Sequence, residues 1–225
     1  MDIKGLISRR TLLGYGLASS TAALIPDLRL DELWATATQP ARALQTTPTM
    51  GDEPWIMSAS ALAAAIRDRR ITSRAVIESH LERIAQVNTA VNAITVVLEE
   101  PAMRAAEEAD RAVDFGNEIG PLHGVPFTIK ENIDVAGSAT TMGVLGLEGE
   151  IPPVDAPLVA QLKAAGAIPL ARTNMPDFGL RWHTKSSLRG ATANPWDRTR
   201  TPGGSSGGDA VALALGMTPL GVGND

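Results

Sequence analysis

The segment RTPGGSSGGDA, residues 200–210, sets four glycines around two adjacent serines and leads directly into the apolar stretch AVALALG. Glycine tolerates positive φ and close backbone approach, so a run this dense marks a loop whose shape most residues would resist. Three readings compete. A phosphate loop of the form G-x-x-x-x-G-K-[ST] needs a lysine where Asp209 stands, and an anionic ligand would meet a carboxylate there. The nucleotide reading fails. A bland flexible turn belongs between polar segments, whereas Pro202 stiffens the entry here and an apolar helix is expected behind it. A serine held at a helix entrance fits better. Gly203-Gly204-Ser205-Ser206-Gly207 also meets the G-x-S-x-G spacing of a nucleophile elbow, but NPWDRTRTP ahead of it is turn-like where that motif requires a strand.

A serine in such a loop needs a base, and candidates are few. The chain has no cysteine, which excludes disulfides, thiolate nucleophiles and Cys-based zinc sites. Of the three histidines, His80, His123 and His183, none lies at the spacing of a zinc-binding pair, and His80 falls on an expected helix. No metal and no organic cofactor is expected, and a Ser-His-Asp triad ranks second. A lysine can serve if burial among apolar neighbours leaves it a neutral amine. Lys130 is the best placed, because it ends the apolar run VPFTI and should project from the C-terminal edge of a buried strand. Lys163 and Lys185 read as solvated charges, and Trp55, Trp182 and Trp196 as packing or surface residues.

The remaining pattern alternates helices and strands. Ser58 and Thr72 read as N-caps of two helices, the second with an apolar stripe at Val76, Ile77, Leu81 and Ile84. AITVVL reads as a strand, and a helix is expected to open at Pro101 and to close on Gly116. A strand around Phe127 to Ile129 follows, then a helix capped by Asp155 and stopped by Gly166, then the buried strand AIPLAR. This is an α/β fold with helices packed on a sheet. With 225 residues, 44% hydrophobic, the chain suits one domain. Twenty Lys and Arg against twenty-five Asp and Glu, with no long basic run past the first residues, make nucleic acid an unexpected partner.

The N-terminus is read apart from the fold. Lys4, Arg9 and Arg10 precede a mildly apolar segment, 11–25, shorter than the roughly 20 residues a spanning helix needs. No permanent membrane anchor is expected. Ser8-Arg9-Arg10-Thr11-Leu12-Leu13 resembles a twin-arginine export signal, which implies a periplasmic or extracellular protein. Residues 1–37 are taken as that signal, with Ala35-Thr36-Ala37 as a small-x-small cleavage site, residues 38–54 as a Thr/Pro/Ala-rich linker, and 55–225 as the folded domain.

Four blocks occur in order: GVPFTIKENIDVAGSATTMG (124–143), ARTNMPDFG (171–179), NPWDRTRTPGGSSGG (194–208) and PLGVGND (219–225). Together they resemble the amidase signature family of serine hydrolases, and the likeness runs from about Ser58 to the last residue. It implies a mixed β-sheet core covered by helices, and hydrolysis of carboxamide C–N bonds in a small-molecule amide substrate by a Ser-cis-Ser-Lys triad. Lys130 matches the family's lysine, and Ser205 its bridging serine, whose peptide bond to Gly204 is then expected to be cis. Gly203, Gly204, Ser206, Met175 and Asp225 are implied as supports of the loop and substrate. In the family, the block matching GVGND continues as x-G-G-S-x-R and its serine attacks, so the sequence stops about four residues short of that nucleophile. A truncated, catalytically inactive portion of the domain is the expectation. Two other functions remain open: the glutaminase component of a tRNA-dependent amidotransferase, which the Arg9-Arg10 signal argues against, and a non-catalytic remnant or binding module.

Overall fold

The computed structural model describes residues 53–225. The export signal expected at 1–37 and all but the end of the linker expected at 38–54 lie outside the described residues. The described chain opens with two helices, α1 (Ala59–Arg67) and α2 (Ser73–Val91), whose caps follow the sequence. Ser58 Oγ accepts from Ala61 N at 3.2 Å and Thr72 Oγ1 from Ala75 N at 3.1 Å, each satisfying one of the amides that a helix start leaves unpaired. The second helix ends at Asn92 in the left-handed region, and Asn88 Oδ1 accepts from the amides of Ala93 and Ile94 as the chain turns into β1 (Ile94–Val97).

Helix α3 (Glu99–Asp114) starts two residues earlier than expected. Pro101 sits inside its first turn, where a missing N–H costs no intrahelical bond, and Glu99 and Glu100 place negative charge at the positive end of the dipole. Gly116, at φ 68, takes the chain out of the helix. Next come β2 (Pro126–Lys130), α4 (Pro157–Ala164) and β3 (Ile168–Thr173). Asp155 does not cap α4. Its carboxylate accepts instead from Ala136 N at 2.9 Å and from Lys163 Nζ at 2.6 Å, so Lys163 is paired and not simply solvated. A two-stranded ribbon, β4 (Lys185–Ser186) with β5 (Gly190–Ala191), precedes α5 (Gly207–Ala214) and β6 (Gly221–Val222).

The main sheet runs β1-β3-β2-β6, with β1 antiparallel to β3 and the other pairs parallel, a mixed sheet as expected. Every residue of β2 is buried, as a parallel strand covered on both faces must be. Its alternation sorts the side chains. Phe127 and Ile129 pack with Val159 of α4, so Thr128 and Lys130 face the other way, toward α5. On that side Leu170 and Ala171 of β3 join Ile77 and Ile84 of α2, Ala102 and Ala106 of α3, and Val211 and Ala212 of α5. Lys130 and Thr173 are in register, and Asn224 follows β6, so the carboxyl ends of three parallel strands meet at one edge. That edge is where ligands meet sheets of this kind.

Candidate active site

Lys130 closes β2 with its side chain fully buried. Its Nζ lies 2.6 Å from Ser205 Oγ and donates to the carbonyl oxygen of Asn224 at 2.9 Å. Burial lowers the amine below the ordinary lysine range, and the carboxylates of Asp209 and Asp225 pull partly against that. Ser205 is 7% exposed and follows a cis peptide bond from Gly204, as the resemblance implies. Ser206 Oγ donates to the same Asn224 carbonyl at 3.2 Å, and Asn224 Oδ1 accepts from Asn132 Nδ2 at 3.0 Å. One carbonyl after β6 therefore holds both the lysine and the serine loop.

The loop is tight because other backbone lies on it. A Cβ at Gly204 would stand 2.7 Å from Arg181 O and 2.8 Å from His183 N, so only glycine fits there. Gly203, at φ 91, offers its carbonyl to Thr184 Oγ1 at 3.0 Å. The Cβ position of Gly179 is 3.6 Å from Met175 Cε and 3.8 Å from Ser205 Oγ, so both side chains lie beside that glycine. The structure thus brings together Lys130, Ser205, Gly203, Gly204, Ser206 and Asp225. Met175 is fully buried. Trp182 and Trp196 are exposed, and Trp55 stacks under Arg83, whose guanidinium carbon is 4.0 Å from the ring centre. Among the described residues no cluster of three or more His, Asp or Glu is arranged to hold a metal ion.

Four buried polar residues behind the loop carry no site expectation from the sequence. Glu131 is fully buried and accepts from Thr95 Oγ1 at 2.7 Å, Thr141 Oγ1 at 2.6 Å and Arg189 Nε at 3.1 Å. Arg172 donates to the carbonyls of Lys130 and Ile133 at 3.2 and 2.7 Å and to Ser138 Oγ at 3.1 Å, and burial lowers its pKa to about 10. Asn174 donates to Gly190 O and Thr192 Oγ1 and accepts from Met175 N, binding the end of β3 to the β4–β5 ribbon. Asp209, in the first turn of α5, is bound by Thr128 and Thr173, and burial raises its carboxyl to about 6. Two of them carried a visible signal, a lone charge at the edge of an apolar run, as Arg172 is in AIPLAR and Asp209 in GGDAVALALG, whereas Glu131 and Asn174 stand among other polar residues, in KEN and RTN.

The family model described as Amidase matches residues 75–225. The chain belongs to the amidase signature family. An indoleacetamide hydrolase of Bradyrhizobium diazoefficiens is 46% identical over 171 residues, covering 76% of this chain and 33% of that protein. A component of the glutamyl-tRNA(Gln) amidotransferase of Acidothermus cellulolyticus is 43% identical over 164 residues, covering 73% and 32%. The solved peptide amidase of Stenotrophomonas maltophilia superposes with a TM-score of 0.66 at 34% identity, over 72% of this chain and 35% of that one. This amidase-family chain spans about a third of the length of the curated relatives it matches.

Proposed function

We propose that the protein hydrolyses carboxamide C–N bonds and that Lys130 and Ser205 form the proton-relay half of its Ser-cis-Ser-Lys centre. The 2.6 Å approach of Nζ to Oγ in a buried setting carries this reading. A neutral amine has one lone pair and two N–H groups. Donation of one N–H to Asn224 O leaves the lone pair free to face Ser205, which is the geometry a base requires. Lys130 then takes the proton of Ser205 Oγ while that oxygen takes the proton of the attacking serine, which bonds to the amide carbon. The relay reverses to protonate the leaving nitrogen as the C–N bond breaks. The family pattern places the attacking serine after GVGND, so turnover belongs to the full-length protein.

The relatives include hydrolases of small and peptidic amides and an amidotransferase component, and the reading proposed is an exported hydrolase of a small or acyl amide. The Arg9-Arg10 motif supports export through a twin-arginine route, with residues 1–37 as the signal and 38–54 as the linker. The test is ammonia release by purified full-length protein from indole-3-acetamide, a peptide amide and glutamine. Turnover of an amide other than glutamine, lost by at least about a thousandfold in Lys130→Met, is expected. Glutamine as the sole substrate would favour the amidotransferase reading, and turnover unchanged in Lys130→Met would refute the relay. Fractionation of the source cells tests export: the protein is expected outside the cytoplasm, and retention there on Arg9→Lys with Arg10→Lys.

A further inference from the structure

Asp209 has no part in the relay just described, yet it is the only charged residue of α5 and is 5% exposed. Its Oδ2 accepts from Thr173 Oγ1 at 2.7 Å and its Oδ1 from Thr128 Oγ1 at 3.1 Å. Both threonines are defined by Lys130. Thr128 stands two positions before it on the same face of β2, and Thr173 is its register partner on β3. The carboxylate is thereby pinned beside the lysine without forming an ion pair with it. Across from it β6 leaves room: a Cβ at Gly221 would come 3.1 Å from Oδ1, and one at Gly223 3.8 Å from Oδ2.

The charged groups around it come from each neighbouring strand. Lys130 of β2 and Arg172 of β3 both act on Asp209 through space. Asp225, beyond β6, acts on Lys130, while Glu131 and Asp134 act on Arg172. Arg172 is already engaged by carbonyls, which leaves Lys130 as the partner whose proton occupancy can answer to Asp209.

We propose that Asp209 is a positioning residue for the base: it ties the Ser205 loop to the strands that carry and face Lys130, and its charge sets how readily Lys130 releases its proton. The proposal rests on the reading of Lys130 as the base. Ionised Asp209 favours the ammonium form and neutral Asp209 the free amine, so the two groups titrate as a coupled pair. Burial, opposed by the two threonine hydroxyls, holds the carboxyl near 6, within reach of the pH range in which the lysine must work. As pH falls, protonation of Asp209 withdraws the charge that would otherwise hold a proton on Lys130.

The test follows kcat and KM for hydrolysis of a primary carboxamide by full-length protein from about pH 5 to pH 10, with a thermal melt of each variant. Asp209→Asn keeps the shape and removes the charge; the acid limb of kcat/KM is expected to move down by about one pH unit with KM unchanged. Thr173→Val, which removes the shorter bond to the carboxylate, is expected to move it in the same direction by less, and carries the test if Asp209→Asn does not fold. An acid limb that stays in place in a folded variant overturns the proposal, even if stability falls. Wild-type activity in Lys130→Met overturns the reading of the base instead, and the absence of amide turnover in the wild type overturns both.

Discussion

Replacing Arg189 by methionine isolates the buried charge next to the base. Glu131 follows Lys130, its side chain is fully buried, and Arg189, 22% exposed, is the cation bonded to it, Nε to Oε1 at 3.1 Å. Removing one member of a buried pair strands the other and costs about 3–5 kcal/mol. Glu131 keeps the hydroxyls of Thr95 and Thr141, and Arg189 is partly solvated, so the lower end applies, about 3 kcal/mol. For a chain of this size each kcal/mol lowers Tm by about 2–4 °C, giving a drop of about 6–12 °C. Urea unfolding followed by circular dichroism, with a parallel thermal melt, measures it. The double variant Glu131→Gln with Arg189→Met contains no stranded charge and should recover more than half of the loss, which a double-mutant cycle reads directly. A loss in Arg189→Met below about 1 kcal/mol, or a double variant no better than the single one, would refute the argument that Arg189 neutralises a buried carboxylate.

Two further perturbations test the packing behind the site. His80 is fully buried, its Nδ1–H donating to Val76 O at 2.8 Å while Nε2 has no partner, and burial lowers its pKa. The folded state then binds fewer protons than the unfolded one, so the stability is present above about pH 6.5 and is lost as pH falls from there toward the depressed folded value. In His80→Leu the difference between urea midpoints at about pH 7.5 and pH 5.5 should shrink relative to wild type; an unchanged difference would clear His80 of the acid sensitivity. At Gly208 an added Cβ would press on the backbone of Asn174 and come 3.0 Å from Ala93 O. Gly208→Ala is expected to lose about 1–3 kcal/mol, whereas Gly146→Ala, with open space around it, stays close to wild type in the same melts.

Much of the architecture was legible because local physics decides it. Ser58 and Thr72 cap their helices as their hydroxyls predict, and the apolar runs ending in Lys130 and beginning at Ile168 are buried parallel strands. The two boundaries that moved, at Pro101 and Asp155, did so for nonlocal or permissive reasons. A helix's first turn accepts proline at more than one position, and Asp155 found Lys163 and the amide of Ala136 more accessible than the start of α4.

The sequence by itself determined the family, the alternation of helices and strands, and the two residues to bring together, because glycine density, caps and apolar runs are written in neighbouring residues. Only the tertiary structure decided that Nζ of Lys130 reaches Ser205 across 75 positions, that the Asn224 carbonyl accepts from both Lys130 and Ser206, and that Arg172, Glu131 and Asp209 are buried with the partners they have. Those contacts depend on strand order and register. In a β2-β3 pairing shifted by one residue Thr173 would no longer stand opposite Lys130, and no periodicity within either strand specifies that choice.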